Sequence, residues 1–192
     1  MSTDPVLVAD RRETPLLTFA LLLAAVGSFG TIYLTSGLGL IACPLCFYQR
    51  AFMLSCLAVL GIGHLTRMSR VVAVSALAVP LAVSGAAVAA FHVWLQVSGK
   101  LECPAGMLGL GSAPQQSLAV FLPLTLVLAI DCGITRRPGG GWPIAVVGLV
   151  VGAAFAWGCI ATAPKLRPAP DRPYDAEKEP LNTCRPPYVA KT

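Results

Sequence analysis

The chain has 192 residues, 56% of them hydrophobic and only 12% charged, with a mean hydropathy of +0.73. A soluble domain carries about a quarter charged residues, so the composition excludes an ordinary water-soluble globule and points to an integral membrane protein, in which an ionised side chain at a helix centre costs roughly 2.5–3.5 kcal/mol. The formal net charge of +5 does not mark a nucleic-acid binder: most Lys and Arg fall at the ends of apolar runs or in the tail, with no basic helical face and no interleaved aromatics.

Residues 16–40 form the first apolar run. It follows Arg11-Arg12 and lacks a clear small-residue cleavage site, so it reads as a retained span and not a cleaved signal. Further runs cover 45–65, 71–97, 118–134 and 142–163, each close to the 20 or so residues that cross a bilayer. The fourth is the weakest, because it contains Pro123, reaches Asp131 and has a short strictly apolar part. Gly148 and Gly152 make a small-xxx-small pair in the last run, a pattern that permits close helix packing but is common in apolar spans. The connections are 41–44, 66–70, 98–117 and 135–141. From Pro164 onward Pro, charge and Tyr dominate, so 164–192 is expected to lie outside the bilayer. No internal repeat stands out. The expected architecture is an all-α integral membrane bundle over 1–163, with an outward loop at 98–117 and an extramembrane tail.

Positive charge orients the bundle. Arg11, Arg12, Arg67, Arg70, Arg136 and Arg137 fall on one side if all five runs span, and that side is the cytoplasm. The turn at 43–46, the loop at 98–117 and the tail then face the oxidising compartment, where disulfides persist. Lys165 and Arg167, just past the last run, resist this arrangement. A four-span chain, with 118–134 not crossing, would put the tail inside and remove that conflict, at the cost of moving Arg136 and Arg137 outside. Five spans are favoured because the fourth run is too apolar to leave in water.

Cys43-Pro44-Leu45-Cys46 sits where the second run begins. A Cys-x-x-Cys at a helix start brings two sulfurs within bonding reach and places them where unpaired N–H groups and the helix dipole favour a thiolate. Pro44 lacks an N–H and suits an entry turn. Arg50 follows Cys46 by four residues, on the same helix face, where a permanent cation can stabilise a thiolate or a reduced, anionic acceptor. A lone arginine at that depth would more simply snorkel to the headgroups. The dithiol could instead be half of a zinc site, as in a thiolate-based metal-handling membrane protein, but no second Cys/His pair with ligand spacing accompanies it. A fixed cation at Arg50 also opposes metal capture. The expectation is a redox dithiol and no metal.

Cys43-Pro44-Leu45-Cys46-Phe47-Tyr48-Gln49-Arg50 resembles the Cys-x-x-Cys-x-x-x-Arg signature of the DsbB family of membrane disulfide-generating oxidoreductases. The resemblance extends over the first three runs and the loop carrying Cys103, and includes the dithiol's place at the outer start of the second helix. The related vitamin K epoxide reductases place their dithiol late in the bundle. The resemblance implies a four-helix core, here with a fifth transmembrane helix, in a bacterial inner membrane with the redox cysteines facing the periplasm. It also implies a relay: a soluble thioredoxin-like partner of the DsbA type gives electrons to a loop disulfide, which passes them to Cys43–Cys46 and on to a membrane quinone, ubiquinone or menaquinone. Cys46 would contact the quinone, Arg50 would tune that contact, and Cys43 would exchange with the outer pair.

Cys103, in Leu101-Glu102-Cys103-Pro104, is then the thiol the partner attacks. The family pattern nominates Cys132 as its bonding partner. With five spans Cys132 is at the cytoplasmic end of the fourth helix, and Cys184 in the tail becomes the candidate; Cys159, or no bond, are the remaining options. Cys159 and Cys56 read as apolar filler. His92, near the outer end of the third run, is either an interfacial hydrogen-bonding residue or, as the resemblance implies, a quinone-side proton partner. His64 reads as a surface residue, and Trp94 and Trp142 as interfacial anchors.

Overall fold

The computed structural model describes residues 15–66, 73–134, 141–165, 168–175 and 177–188. Five helices dominate: α1 (Pro15–Ser36), α2 (Pro44–Leu65), α3 (Ala73–Val97), α4 (Ala113–Ile134) and α5 (Trp142–Thr162). All five are long and apolar enough to cross a membrane, and a multi-pass helical membrane protein follows. Arg11, Arg12, Arg67, Arg70, Arg136, Arg137 and Arg167 lie outside the described residues.

Two helix ends differ from the apolar runs, each for a local reason. α1 stops at Ser36, short of the run's end at residue 40. Gly37 N–H donates to the Tyr33 carbonyl at 2.7 Å, and Gly39 takes φ +66°, a left-handed conformation open to glycine. The fourth helix begins at Ala113, five residues before its apolar run. Ser112 starts it, its carbonyl accepting from Gln116 N–H at 3.1 Å. The Gln116 side-chain amide folds back onto the preceding loop, donating to the Met107 and Leu110 carbonyls and accepting from Met107 N–H. These contacts satisfy polar groups that a hydropathy reading assigns to water. The loop before α4 is thereby shortened to 98–112, and α4 reaches 22 residues, enough for a span.

α1 to α4 close into a ring, with α1 against α2 and α4, and α3 against α2 and α4; α5 packs on the outer side of α3. The core is filled by residues such as Met53, Val79, Phe121, Leu124 and Leu128. Gly148 and Gly152 face α3. A Cβ at Gly152 would lie 2.6 Å from Val83 Cβ and 2.7 Å from the Pro80 carbonyl oxygen, so α5 approaches α3 backbone to backbone. Gly152→Leu is expected to destabilise the bundle by about 1–3 kcal/mol through overpacking. Gly158→Leu, where nothing lies within 4 Å, should be neutral in the same unfolding titration in detergent.

At one end of the bundle the tail returns to the loops. Ile41 N–H donates to the Asn182 carbonyl at 2.8 Å, and Glu102 pairs antiparallel with Arg185 through two backbone hydrogen bonds of 2.8 and 2.9 Å. At the far end of α4, Cys132 is buried beside Asp131, which accepts a hydrogen bond from Ser75 Oγ. At 1.5 Å per residue, Cys132 lies roughly 28 Å along the helix from Ala113.

Candidate active site

Cys43 caps α2. Its backbone is extended (φ −72°, ψ 165°), Pro44 occupies the first helical turn, and Cys46 N–H donates to Cys43 Sγ at 3.3 Å. The same geometry brings the two sulfurs to 2.8 Å. Cys43 is buried and Cys46 half-buried. The Cys46 contact pulls the Cys43 thiol down to about 5, helped by His92 and opposed by burial. Cys43 is therefore expected to hold a thiolate at neutral pH that is lost only as pH falls through about 5. In the reduced protein, alkylation of Cys43 by iodoacetamide, followed by peptide mass spectrometry, should be half-maximal near about pH 5. An ordinary cysteine would be half-maximal near about pH 8.5.

His92 is fully buried among these sulfurs. Its Nε2 lies 3.4 Å from Cys103 Sγ and 3.9 Å from Cys43 Sγ. On the other side of the ring, Gln49 Nε2 is 3.1 Å from Nδ1. With the Gln49 amide donating to Nδ1, the pattern assigns the imidazole proton to Nε2, the nitrogen that faces the thiols. Gln49 is itself buried, one turn below Cys46 on α2. Nothing in the sequence singled it out; the only local signal was an uncharged polar residue next to Arg50 inside an apolar helix.

Cys103 is bonded to Cys184 across 81 residues of sequence. The ligand-type atoms of Cys43, Cys46, His92 and Cys184 all lie within 4.8 Å of one another. Two cysteine pairs from three separate segments are thus within thiol–disulfide exchange reach, the requirement being that an attacking sulfur can approach a disulfide sulfur in line. Three thiols and an imidazole also form a soft-metal donor set that no local spacing revealed. One of those sulfurs is already committed to the Cys103–Cys184 bond.

Arg50 turns from α2 toward α1. Its Nη2 donates to the Thr31 carbonyl at 3.0 Å and to Thr35 Oγ1. Its Nε is buried without a hydrogen-bond partner among the described residues. Thr31 also lines an apolar groove of about 560 Å³ between α1 and α4, walled by Gly30, Met53, Gln116, Val120 and Phe121. A smaller cavity of about 230 Å³ adjoins the thiols, between Cys43, Phe91, Leu95, Ile160, Lys165 and Cys184. The remaining residues singled out by sequence stand apart. Cys56 is buried in the core, Cys159 packs partly buried on α5, and His64 is exposed in the last turn of α2. Trp94 is half-exposed, stacked on Phe91 with Lys100 over its ring, and Trp142 is exposed.

The family model described as "Disulfide bond formation protein DsbB" matches residues 11–162. The chain is 40% identical over 102 residues to "Disulfide bond formation protein B 1" of Pseudomonas aeruginosa PAO1, a match covering 51% of this chain and 60% of that protein. A second Pseudomonas aeruginosa protein, "Disulfide bond formation protein B 2" of strain UCBPP-PA14, matches with the same identity and coverage. "Probable disulfide formation protein" of Chlamydia muridarum is 30% identical over 123 residues, covering 58% of this chain and 88% of that protein. The chain therefore spans 60% of the length of the two Pseudomonas relatives. No solved structure matches. Cys184 lies beyond the stretch that the family model matches.

Proposed function

The chain belongs to the DsbB family, and from that premise we propose that it is a membrane protein-dithiol:quinone oxidoreductase. It takes two electrons from a soluble periplasmic thioredoxin-fold protein of the DsbA type and delivers them to a quinone, ubiquinone or menaquinone. The protein sits in a bacterial inner membrane, with the tail at 164–192 and the redox cysteines on the periplasmic side. The observation that carries this reading is the gathering of Cys43, Cys46, Cys184 and His92 within 4.8 Å, with Cys103 bonded to Cys184.

The residues perform two exchanges. A partner thiolate attacks Cys103 Sγ, a partner–Cys103 bond forms, and Cys184 leaves as thiolate. Cys184 then attacks Cys43 Sγ of the oxidised inner pair; the Cys43–Cys184 bond forms and Cys46 leaves as thiolate. The second partner thiol resolves the mixed disulfide and releases Cys103, which recovers Cys184 and leaves Cys43 and Cys46 as the reduced pair. The depressed Cys43 thiol makes Cys43 a good leaving group in this last exchange. His92 Nε2–H faces both Cys103 and Cys43 and can stabilise negative charge on either sulfur.

A quinone, when bound, accepts two electrons and two protons. The chain has groups that suit it: the unpartnered Arg50 Nε can donate to a carbonyl oxygen, and the α1–α4 groove can take an isoprenoid tail. Cys46 would face the acceptor. Metal handling is the weaker reading of the same cluster, because Cys184 is spent on Cys103 and Arg50 supplies opposing charge.

The test is steady-state oxidation of a reduced DsbA-type protein by proteoliposomes with added quinone. Arg50→Ala should raise the quinone KM about tenfold, the value of one charged hydrogen bond, and leave the partner KM unchanged. No quinone dependence in the unmodified protein would overturn the proposal.

A further inference from the structure

The relay proposed above leaves Cys184 without its covalent tie as soon as the partner opens the Cys103–Cys184 bond. Cys184 lies 22 residues beyond Thr162, the end of α5. A flexible tether of that length has an r.m.s. span of roughly 26 Å, far more than the 4.8 Å limit within which Cys184 Sγ and Cys43 Sγ lie. A tail released at that moment would carry its thiolate away from the only disulfide it has to attack. Exchange would then compete poorly with return of the partner.

The structure contains a second, non-covalent tie around Cys184. Arg185 exchanges two backbone hydrogen bonds with Glu102, the residue before Cys103. Its side chain extends the tie in three directions. The guanidinium stacks over Tyr174 at 3.6 Å from the ring centroid, Nη1 donates to the Glu179 carbonyl at 2.8 Å, and Nε lies 4.0 Å from Glu102 Oε2. Tyr174 Oη donates to the Pro186 carbonyl at 2.9 Å, closing the tail on itself. On the other flank of Cys184, the Asn182 carbonyl accepts from Ile41 N–H, two residues before Cys43. None of these contacts involves a sulfur.

We propose that Arg185 is a positioning residue: with its bridge to Glu102 it holds Cys184 over Cys43 after the outer disulfide opens, so that exchange outpaces release of the partner. This rests on the relay reading. The step itself balances as written above: the Cys43–Cys184 bond forms, the Cys43–Cys46 bond breaks, and the electron pair leaves on Cys46. The clamp changes only the effective concentration at which Cys184 meets Cys43.

The clamp can be tested apart from the relay. In a Cys46→Ser, Cys103→Ser protein, Cys184 has no covalent tie, and diamide as oxidant should still join it rapidly to Cys43. Adding Arg185→Ala should slow that cross-link by at least about tenfold, with Arg185→Lys recovering only part of the rate, because Lys keeps the charge but not the planar stack on Tyr174 or the simultaneous contacts to Glu179 and Glu102. An unchanged rate in Arg185→Ala would overturn the clamp. In the otherwise unmodified chain, Arg185→Ala should capture a DsbA-type partner on Cys103 as fast as the parent protein. Formation of the Cys43–Cys184 bond after capture should then be slowed at least about tenfold, a split that general destabilisation of the fold would not give. Equal rates would also overturn the clamp. If no partner is captured even by the parent protein, the relay reading fails, while the cross-linking rates still decide the clamp.

Discussion

Cys46→Ser should lose quinone reduction altogether while still reacting with the soluble partner. The inner pair would keep Cys43, whose thiolate has no disulfide partner but lies within 4.8 Å of Cys184 Sγ. A thiolate at that distance attacks the Cys103–Cys184 bond directly, forming Cys43–Cys184 and releasing Cys103. The variant is therefore expected to accumulate a rearranged disulfide, which non-reducing peptide mapping would identify. Partner oxidation should fall by at least about a thousandfold, because removing one member of a chemical unit costs nearly as much as removing all of it. Cys43→Ser should be as inactive but should retain the Cys103–Cys184 bond. Turnover by either variant would separate the dithiol from the activity.

Cys184→Ser is expected to be the second severe loss, again at least about a thousandfold in turnover. It leaves Cys103 a free thiol, with no outer disulfide for a reduced partner to attack and no way to pass electrons inward. Only a partner added in its oxidised form should be held as a mixed disulfide, through attack of Cys103 on the partner's own disulfide. Cys132→Ser should retain activity within about twofold, as expected of a substitution outside the chemistry. Cys132 is buried beside Asp131, roughly 28 Å along α4 from its first turn. The reverse outcome, with Cys132→Ser inactive and Cys184→Ser active, would contradict both the pairing and the course of α4.

The fold was legible because lipid selects for length and apolarity, and five runs met both conditions. Their ends were less legible, since a hydropathy run does not register Gly37 and Gly39 terminating α1. Nor does it register a helix beginning at Ala113 whose Gln116 is satisfied by the loop beneath it. Cys43 and Cys46 could be picked out because their chemistry is local: a helix start, a proline and a four-residue step to Arg50. Which cysteine joins Cys103 depends on the tail's return, and that rests on Glu102, Arg185, Ile41 and Asn182, contacts with no periodicity to read. Gln49 and His92, 43 residues apart, meet only through the packing of α2 on α3. The same is true of Arg50 and the α1 residues Thr31 and Thr35, which turn the arginine toward the α1–α4 groove.

The central claim is that both electrons from the partner cross from the outer pair to Cys43–Cys46 and leave on a quinone. An anaerobic single turnover tests it most directly, with purified protein, a limiting amount of reduced DsbA-type partner and one quinone. The expected result is one quinol formed per partner disulfide, and none with Cys43→Ser or Cys184→Ser. Partner oxidised without matching quinol, or quinol formed equally by the two variants, would contradict it.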